Sequence, residues 1–565
     1  MTPTELPPFL IFYLAAFALL LSRGWLRHAV LLLTPLVGFL NLLGTVHGMH
    51  WQITIFDYGL TPYRVDSLSL FFGYLFHLAA FIGIIYALHV RDTMQQVAAL
   101  LYAGSALGAV FAGDLISLFV FWELLAVTSV FLIWARRTPQ ALAAGMRYLI
   151  IQITSGVLLL GGALFQVHHT GSIAFDYIGL TGVGSWLIFI AFGIKCAFPF
   201  VHNWLTDAYP EATPTGTVFL SAFTTKVAVY ALARGFAGTE ILVFIGALMT
   251  CFPIFYAVIE NDLRRVLAYS MINQLGFMVC GIGIGTELAL NGAISHAFND
   301  VIFKGLLMMA MGAVLYRTGK INGSELGGLY KSMPKTTAFC LVGAASISAF
   351  PLFSGFVSKS MVMVAALEQG HDWIWLALLF ASAGVFHHAG IKIPFFAFYA
   401  HDSGIRVKEA PTNMLIAMGL SALLCILVGA YPWALYRLLP FPLDYTPFDA
   451  SHIIAQLQLL FFSALAFVWL KLSNIYPPEL PSTNIDAEWI YRRFAPSLVR
   501  ILTFAIHTID SKVRNAAITL TQKLTRIIYQ FHGPEGILAR TWTTGSVALI
   551  AMVLFALILS ITVWL

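Results

Sequence analysis

An all-α polytopic membrane protein is the fold class this sequence predicts, and two observations carry that prediction. Hydrophobic residues fill 59% of the 565 positions and charged residues only 10%, with a mean hydropathy of +0.84. A soluble domain carries about 25% charge. Apolar runs able to cross about 30 Å of hydrocarbon also recur almost without a break. They place spans near 8–22, 29–46, 68–89, 96–113, 115–134, 146–166, 183–201, 215–234, 241–259, 266–286, 288–316, 337–353, 372–400, 413–433, 455–472 and 546–565, with a short piece at 356–368. No basic stretch precedes the first run, so it reads as a retained span and not a cleaved signal.

The remaining totals narrow the class. In so apolar a chain a net charge of +5 reads as topology and excludes nucleic-acid binding. The five cysteines (Cys196, Cys251, Cys280, Cys340, Cys425) stand singly without ligand spacing, so no metal and no cofactor is expected. The glycine run 281–285 follows no strand and reads as a place of close helix approach, not a dinucleotide loop. If the spans alternate, Arg23, Arg27, Arg91, Arg136, Arg137, Arg264, Arg265, Arg317, Lys320, Lys331 and Lys335 collect on one side, against little beyond Arg64 and Arg234 on the other. The positive-inside rule then makes the first side cytoplasmic and puts the N-terminus outside, in the cell's inner (plasma) membrane.

Against this background each charge inside an apolar run is informative, because a mid-span cation costs about 2.5–3.5 kcal/mol on insertion scales. Glu123 lies near the centre of its run. Lys195 closes a run that Pro199 interrupts four residues later, which reads as a broken helix. Read blandly, Lys195 is a snorkelling lysine at a helix end; beside Glu123 and Lys226 it reads as a proton-carrying group. Lys226 is mid-run. His296, Asp300 and Lys304 follow at i, i+4, i+8 and share one helical stripe. A self-satisfied packing triad is the bland alternative there, and a relay is the reading favoured. Lys392, in Ala-Gly-Ile-Lys-Ile-Pro-Phe-Phe, repeats the Gly-Ile-Lys…Pro arrangement of 193–199. Interrupted spans at matching positions of two halves point to an inverted-repeat transporter. Adjacent His387 and His388 face different ways, Lys359 reads as a loop charge in a Gly/Ser-rich break, and Asp114 reads as a turn residue. From about Pro477 the composition changes, and 486–530 reads as an amphipathic helix for the membrane surface or partner subunits.

Several motifs in order carry a resemblance. They are Phe-Trp-Glu-Leu (121–124), Ile-Lys-Cys-Ala-Phe-Pro-Phe-Val-His-Asn-Trp-Leu-Thr-Asp-Ala (194–208), Pro214 entering the next span, Asp-Leu-Arg-Arg-Val-Leu-Ala-Tyr-Ser-Met-Ile-Asn-Gln-Leu-Gly (262–276) and Phe-Ser-Gly-Phe-Val-Ser-Lys (353–359). Over roughly 60–435 the chain resembles the proton-pumping antiporter-like subunits of respiratory complex I, membrane-bound hydrogenases and Mrp-type Na⁺/H⁺ antiporters. Phe-Asn-Asp-Val-Ile-Phe-Lys (298–304) looks most like the D-type subunit of the Mrp antiporters. The resemblance implies fourteen core helices with two inverted five-helix repeats, before the amphipathic helix and a last span. It implies domains at 1–95, 96–235, 236–400, 401–475 and 476–565. It implies that Glu123 modulates the pump lysine Lys195, that Lys226 bridges, that Lys304 is central, and that Lys392 is terminal on a second broken helix. Leu220, where some members carry histidine, and Asp300, where many do, depart from the pattern. The implied function is proton translocation in a multisubunit monovalent cation (Na⁺)/H⁺ antiporter with other membrane subunits as partners and no catalytic chemistry of its own. The alternatives are a pumping subunit of a hydrogenase or NADH–quinone complex and an energy-coupling subunit for inorganic-carbon uptake.

Overall fold

The computed structural model describes residues 6–55, 58–480 and 484–564; residue 565 of the last expected span lies outside them. Thirteen of the described helices are long and apolar enough to cross a membrane, and two shorter apolar ones, Pro8–Leu21 and Val183–Lys195, accompany them. Two units result, Met1–Asn484 and Ile485–Leu565. The first opens with α1 (Pro8–Leu21) and α2 (Trp25–Leu43), then a hairpin of β1 (Gly48–Ile55) and β2 (Tyr58–Val65), antiparallel with Ile55 opposite Tyr58. The hairpin was not expected from the sequence. Arg64 near its end donates to Asp176 (2.8 Å) and to the Phe175 carbonyl (2.7 Å), tying it to a later loop.

The helices that follow are α3 (Ser67–Ala87), α4 (Thr93–Phe111), α5 (Leu115–Trp134), α6 (Pro139–Thr170), α7 (Val183–Lys195), α8 (Asn203–Ala208) and α9 (Gly216–Gly235). Next come α10 (Ile241–Ile259), α11 (Leu263–Ile284), α12 (Glu287–Thr318), α13 (Pro334–Ile347), α14 (Ser354–Glu368), α15 (Asp372–Tyr399), α16 (Thr412–Ala430), α17 (Trp433–Tyr436) and α18 (Ala450–Leu472). Their starts follow local chemistry. Asp114 caps α5 by accepting from the Ile116 and Ser117 amides, and Asp262 caps α11 through the Arg264 and Arg265 amides. Close approach of α10 to α11 needs glycine. A side-chain carbon on Gly276 would lie 2.6 Å from the Thr250 amide, and one on Gly283 2.5 Å from that of Val243, so the expectation for 281–285 is met.

This stretch is internally duplicated. Asp114 bridges to Ala174 beyond α6, and Asp262 bridges to Asn322 beyond α12; α6 and α12 each have 32 residues and each ends at a left-handed glycine, Gly171 and Gly319. Two chain breaks also match. After α7 the backbone turns with Ala197 at φ 61° and Phe200 at φ 69°, and after α13 with Ala349 at φ 57° and Leu352 at φ 71°. Ala-Phe-Pro begins both turns. The structure thus corrects the pairing expected from Gly-Ile-Lys. The counterpart of the 196–202 break lies at 348–353, whereas α15 runs through Lys392 without breaking, widened into π-helix at Phe386–Ile391 and Phe395–Tyr399.

The second unit holds α19 (Ala495–His532), 38 residues with no buried side chain, and α20 (Thr544–Trp564), the last apolar span. Pro496 in its first turn and Gly533 past its end bound α19.

Candidate functional site

Lys195 is the last residue of α7 and is completely buried. The break that follows frees the end of the helix, and its Nζ donates to the Trp122 carbonyl of α5 (3.0 Å) while lying 5.0 Å from the centre of the Trp122 ring. Glu123 is the next residue on α5. It makes no hydrogen bond to Lys195, but the two charges act on each other through space, and Glu123 Oε1 has no hydrogen-bond partner among the described residues. Its carboxylate fits only because α6 carries Gly156 opposite; a side-chain carbon there would overlap Oε1. Arg147 of α6 holds Asp207 of α8 at 2.6 and 3.0 Å, which fixes the far side of the break.

The centre of the site is an ion pair. Lys226 Nζ lies 2.6 Å from Asp300 Oδ2, both side chains being fully buried, and donates also to the Ser221 carbonyl at 3.1 Å. That carbonyl is available because α9 kinks at Phe223, where the Tyr102 hydroxyl accepts from the Thr224 amide (3.0 Å) in place of a ladder partner. Two residues 74 positions apart are thereby joined across α9 and α12.

The stripe on α12 is present, but its members turn to different neighbours. His296 meets Ser358 (2.9 Å) of α14 and Gln274 (3.0 Å) of α11. Asp300 takes Lys226, and Lys304 donates to Ser270 of α11 (2.7 Å). Asn299 closes a side network through Ser358 (3.1 Å) and the Ser354 carbonyl (2.8 Å). Lys392 is fully buried and donates to the carbonyls of Ala257 (3.3 Å), Val258 (2.7 Å) and Glu260 (2.6 Å) at the end of α10. Those are last-turn carbonyls, which have no partner within their own helix.

Sequence reasoning missed the place of four residues, two of them (Glu479 and Gly156) unread and two (Lys359 and His388) not read as part of the site. Lys359 is no loop charge. It sits on α14, 2% exposed, donates to the Ile347 carbonyl (2.9 Å) and lies over Phe277 (5.0 Å), because the helix restarts at Ser354 inside the Gly/Ser stretch. Glu479, beyond α18, contacts Lys392 at 3.0 Å. His388 is fully buried one turn before Lys392, with neither ring nitrogen in a hydrogen bond among the described residues. Gly156 acts by having no side chain, which a motif search does not register. Chemically, the arrangement offers amines, carboxylates, hydroxyls and the two imidazoles of His296 and His388, all able to take or give a proton. Among the described residues no three His, Cys, Asp or Glu side chains group as a metal site.

Comparisons with known proteins agree with this architecture. The family model described as NADH:quinone oxidoreductase/Mrp antiporter, TM, matches residues 112–384. The chain is 28% identical over 487 residues to hydrogenase-4 component B of Escherichia coli (strain K12), covering 74% of this chain and 71% of that protein. It is 30% identical over 486 residues to the A-type subunit of the Na(+)/H(+) antiporter of Alkalihalophilus pseudofirmus, covering 75% of this chain but only 59% of that longer protein. With the N-type subunit of NADH-quinone oxidoreductase from Desulforudis audaxviator it shares 32% identity over 350 residues, 56% of this chain and 69% of the relative. A chain of the archaeal membrane-bound sulfane sulfur reductase superposes with a TM-score of 0.71 at 21% identity, covering 98% of this chain and 100% of that one, a likeness of fold. With its spans, its duplicated half-units and these matches, the chain belongs to the NADH:quinone oxidoreductase/Mrp antiporter family of multi-pass membrane subunits.

Proposed function

We propose that this chain is the proton-translocating subunit of a multisubunit monovalent cation/H⁺ antiporter, with Na⁺ as the exchanged ion. Protons pass along Lys195, Lys226, Asp300, His296, Lys304 and Lys392, with Glu123 modulating Lys195. The repeats are 96–235 and 236–400, and the N-terminus faces outside. One observation carries the reading: those six row residues are each 0% exposed. Burying six ionisable groups in a protein of this kind is costly, and inside membrane spans such groups mark ion and proton pathways. Charge on each lysine depends on its neighbours. If Glu123 approaches Lys195 the ammonium is favoured, and if it withdraws the buried amine is driven to release its proton.

The test uses the native complex in sealed vesicles. Lys195→Ala and Glu123→Ala are expected to abolish cation-coupled proton flux while the complex still assembles; flux retained in assembled complex refutes the row. A second reading, a pumping subunit of a redox complex, is supported by the match to hydrogenase-4 component B over most of both proteins. Co-purification decides between them: small membrane subunits alone favour the antiporter, and iron–sulfur partners favour the redox complex.

A further inference from the structure

The segment after α18 returns to the core. Tyr476 is buried, with its ring 5.2 Å from Phe467, 5.5 Å from His387 and 6.2 Å from Phe396, and Lys471 lies over both Phe396 (5.2 Å) and Tyr476 (5.5 Å). This aromatic anchor sets Glu479 three residues on, where its Oε1 reaches Lys392 Nζ at 3.0 Å with the two side chains 6% and 0% exposed. Neither Glu479 oxygen has a hydrogen-bond partner among the described residues, so the 3.0 Å contact is an ion pair, and Oε2 faces the turn at Gly323, 3.6 Å from where a side-chain carbon there would be. The contact lies at the end of the core that carries the α10–α11 loop and Arg265.

Chemistry separates Glu479 from the other partners of Lys392. Three backbone carbonyls hold an ammonium but cannot accept its proton, so a lysine held by them alone has no onward step. A carboxylate at 3.0 Å can take it, leaving a neutral amine and a neutral acid. We infer that Glu479 is the proton acceptor of Lys392, and that the post-α18 segment supplies the terminal exchange pair of the row. Lys226–Asp300 is the corresponding direct amine–carboxylate contact at the centre. The inference rests on the proton-row reading above. Other titratable groups around the pair are Glu260 at the end of α10, Arg265 on α11, Lys471 on α18, His387 and His388 on α15 and Tyr476 beside Glu479. Burial pushes the Glu479 carboxyl above the usual carboxylate range and Lys392 pulls it back, a balance suited to accepting a proton and losing it again.

The experiment compares the native complex, reconstituted in liposomes, carrying wild-type chain, Lys195→Ala, Glu479→Gln, Glu479→Asp or the double variant Lys392→Met/Glu479→Gln, with proton flux read against pH. Expected results are loss of flux in Lys195→Ala, a fall of at least about tenfold with a shifted pH profile in Glu479→Gln, and recovery of most flux in Glu479→Asp. Wild-type flux and profile in assembled Glu479→Gln overturn the inference while a silent Lys195→Ala leaves the row standing. Equal losses in the Gln and Asp variants with an unshifted profile overturn it too, since packing alone would then explain them. If Glu479→Gln does not assemble, the double variant removes the stranded buried charge and full flux in it refutes the exchange pair, while Glu479→Asp with flux kept and its pH profile shifted supports it. Flux retained in Lys195→Ala brings down the row and this inference together.

Discussion

The helix pairs α5–α6 and α11–α12 share one plan and place Glu123 and Lys304 on opposite members. Both begin at an aspartate cap, both continue into a 32-residue helix, and both end at a left-handed glycine. At the same sequence offset, the stripe Tyr148, Gln152, Gly156 on α6 corresponds to His296, Asp300, Lys304 on α12. In the first pair Glu123 on the shorter helix faces the stripe, and the long helix makes room for it with Gly156. In the second the amine is Lys304 on the long helix, and the shorter one receives it at Ser270, the position matching Trp122. Bulk and space have exchanged sides. A duplicated scaffold can therefore seat a carboxylate on the shorter helix of one pair and an amine on the longer helix of the other, provided the facing residue is small.

The largest expected effect is at the junction of the halves. Lys226→Ala strands Asp300 in a fully buried site and should cost about 3–5 kcal/mol, seen as loss of assembled complex, whereas Lys226→Ala/Asp300→Ala should restore assembly without flux. Thermal unfolding of the purified complex measures both. A double variant as unstable as the single one would mean the pair does not join the halves through its charge.

Next comes the exchanged bulk itself. Gly156→Ala drives the Glu123 carboxylate from its place, so proton flux should fall about tenfold or more, equivalent to about 1.4 kcal/mol, with assembly kept. Ser270→Ala only removes one hydroxyl partner of Lys304 and should lower stability by about 1 kcal/mol. Were the two variants alike in flux, the steric half of the comparison would be wrong.

The smallest effects concern the matched breaks. Phe200 and Leu352 are left-handed and 77% and 58% exposed, so Phe200→Gly and Leu352→Gly should each relieve about 1 kcal/mol of backbone strain and shift the melting temperature alike. Opposite signs would show that the breaks are not equivalent.

Much of this was legible beforehand, for a physical reason. Lys195, Lys226, Asp300 and Lys304 stand out because hydrocarbon makes any charge conspicuous, and the i, i+4, i+8 stripe needs only helical periodicity. What stayed hidden depends on shape or on distant chain. The recurrence of Gly-Ile-Lys drew the eye to Lys392, while the repeated break is written in Ala-Phe-Pro, a sequence without charge. Lys359 looked like a loop residue because Gly355 and the serines around it mask a helix restart. Glu479 reaches Lys392 from 87 positions away, a distance that local pattern does not bridge. The β1–β2 hairpin lies in a stretch of mixed aromatic and polar residues, with irregular register and no clean alternation.

The kink at Phe223 has a mechanical corollary. Because the phenol of Tyr102 stands in for a missing rung, the two segments of α9 are pinned at a joint rather than fused into one rod. The oxygen exposed at that joint, on Ser221, gives the Lys226 ammonium a second berth beside the one it shares with Asp300. An amine with two resting places can let go of its acid without ever being left bare in oil.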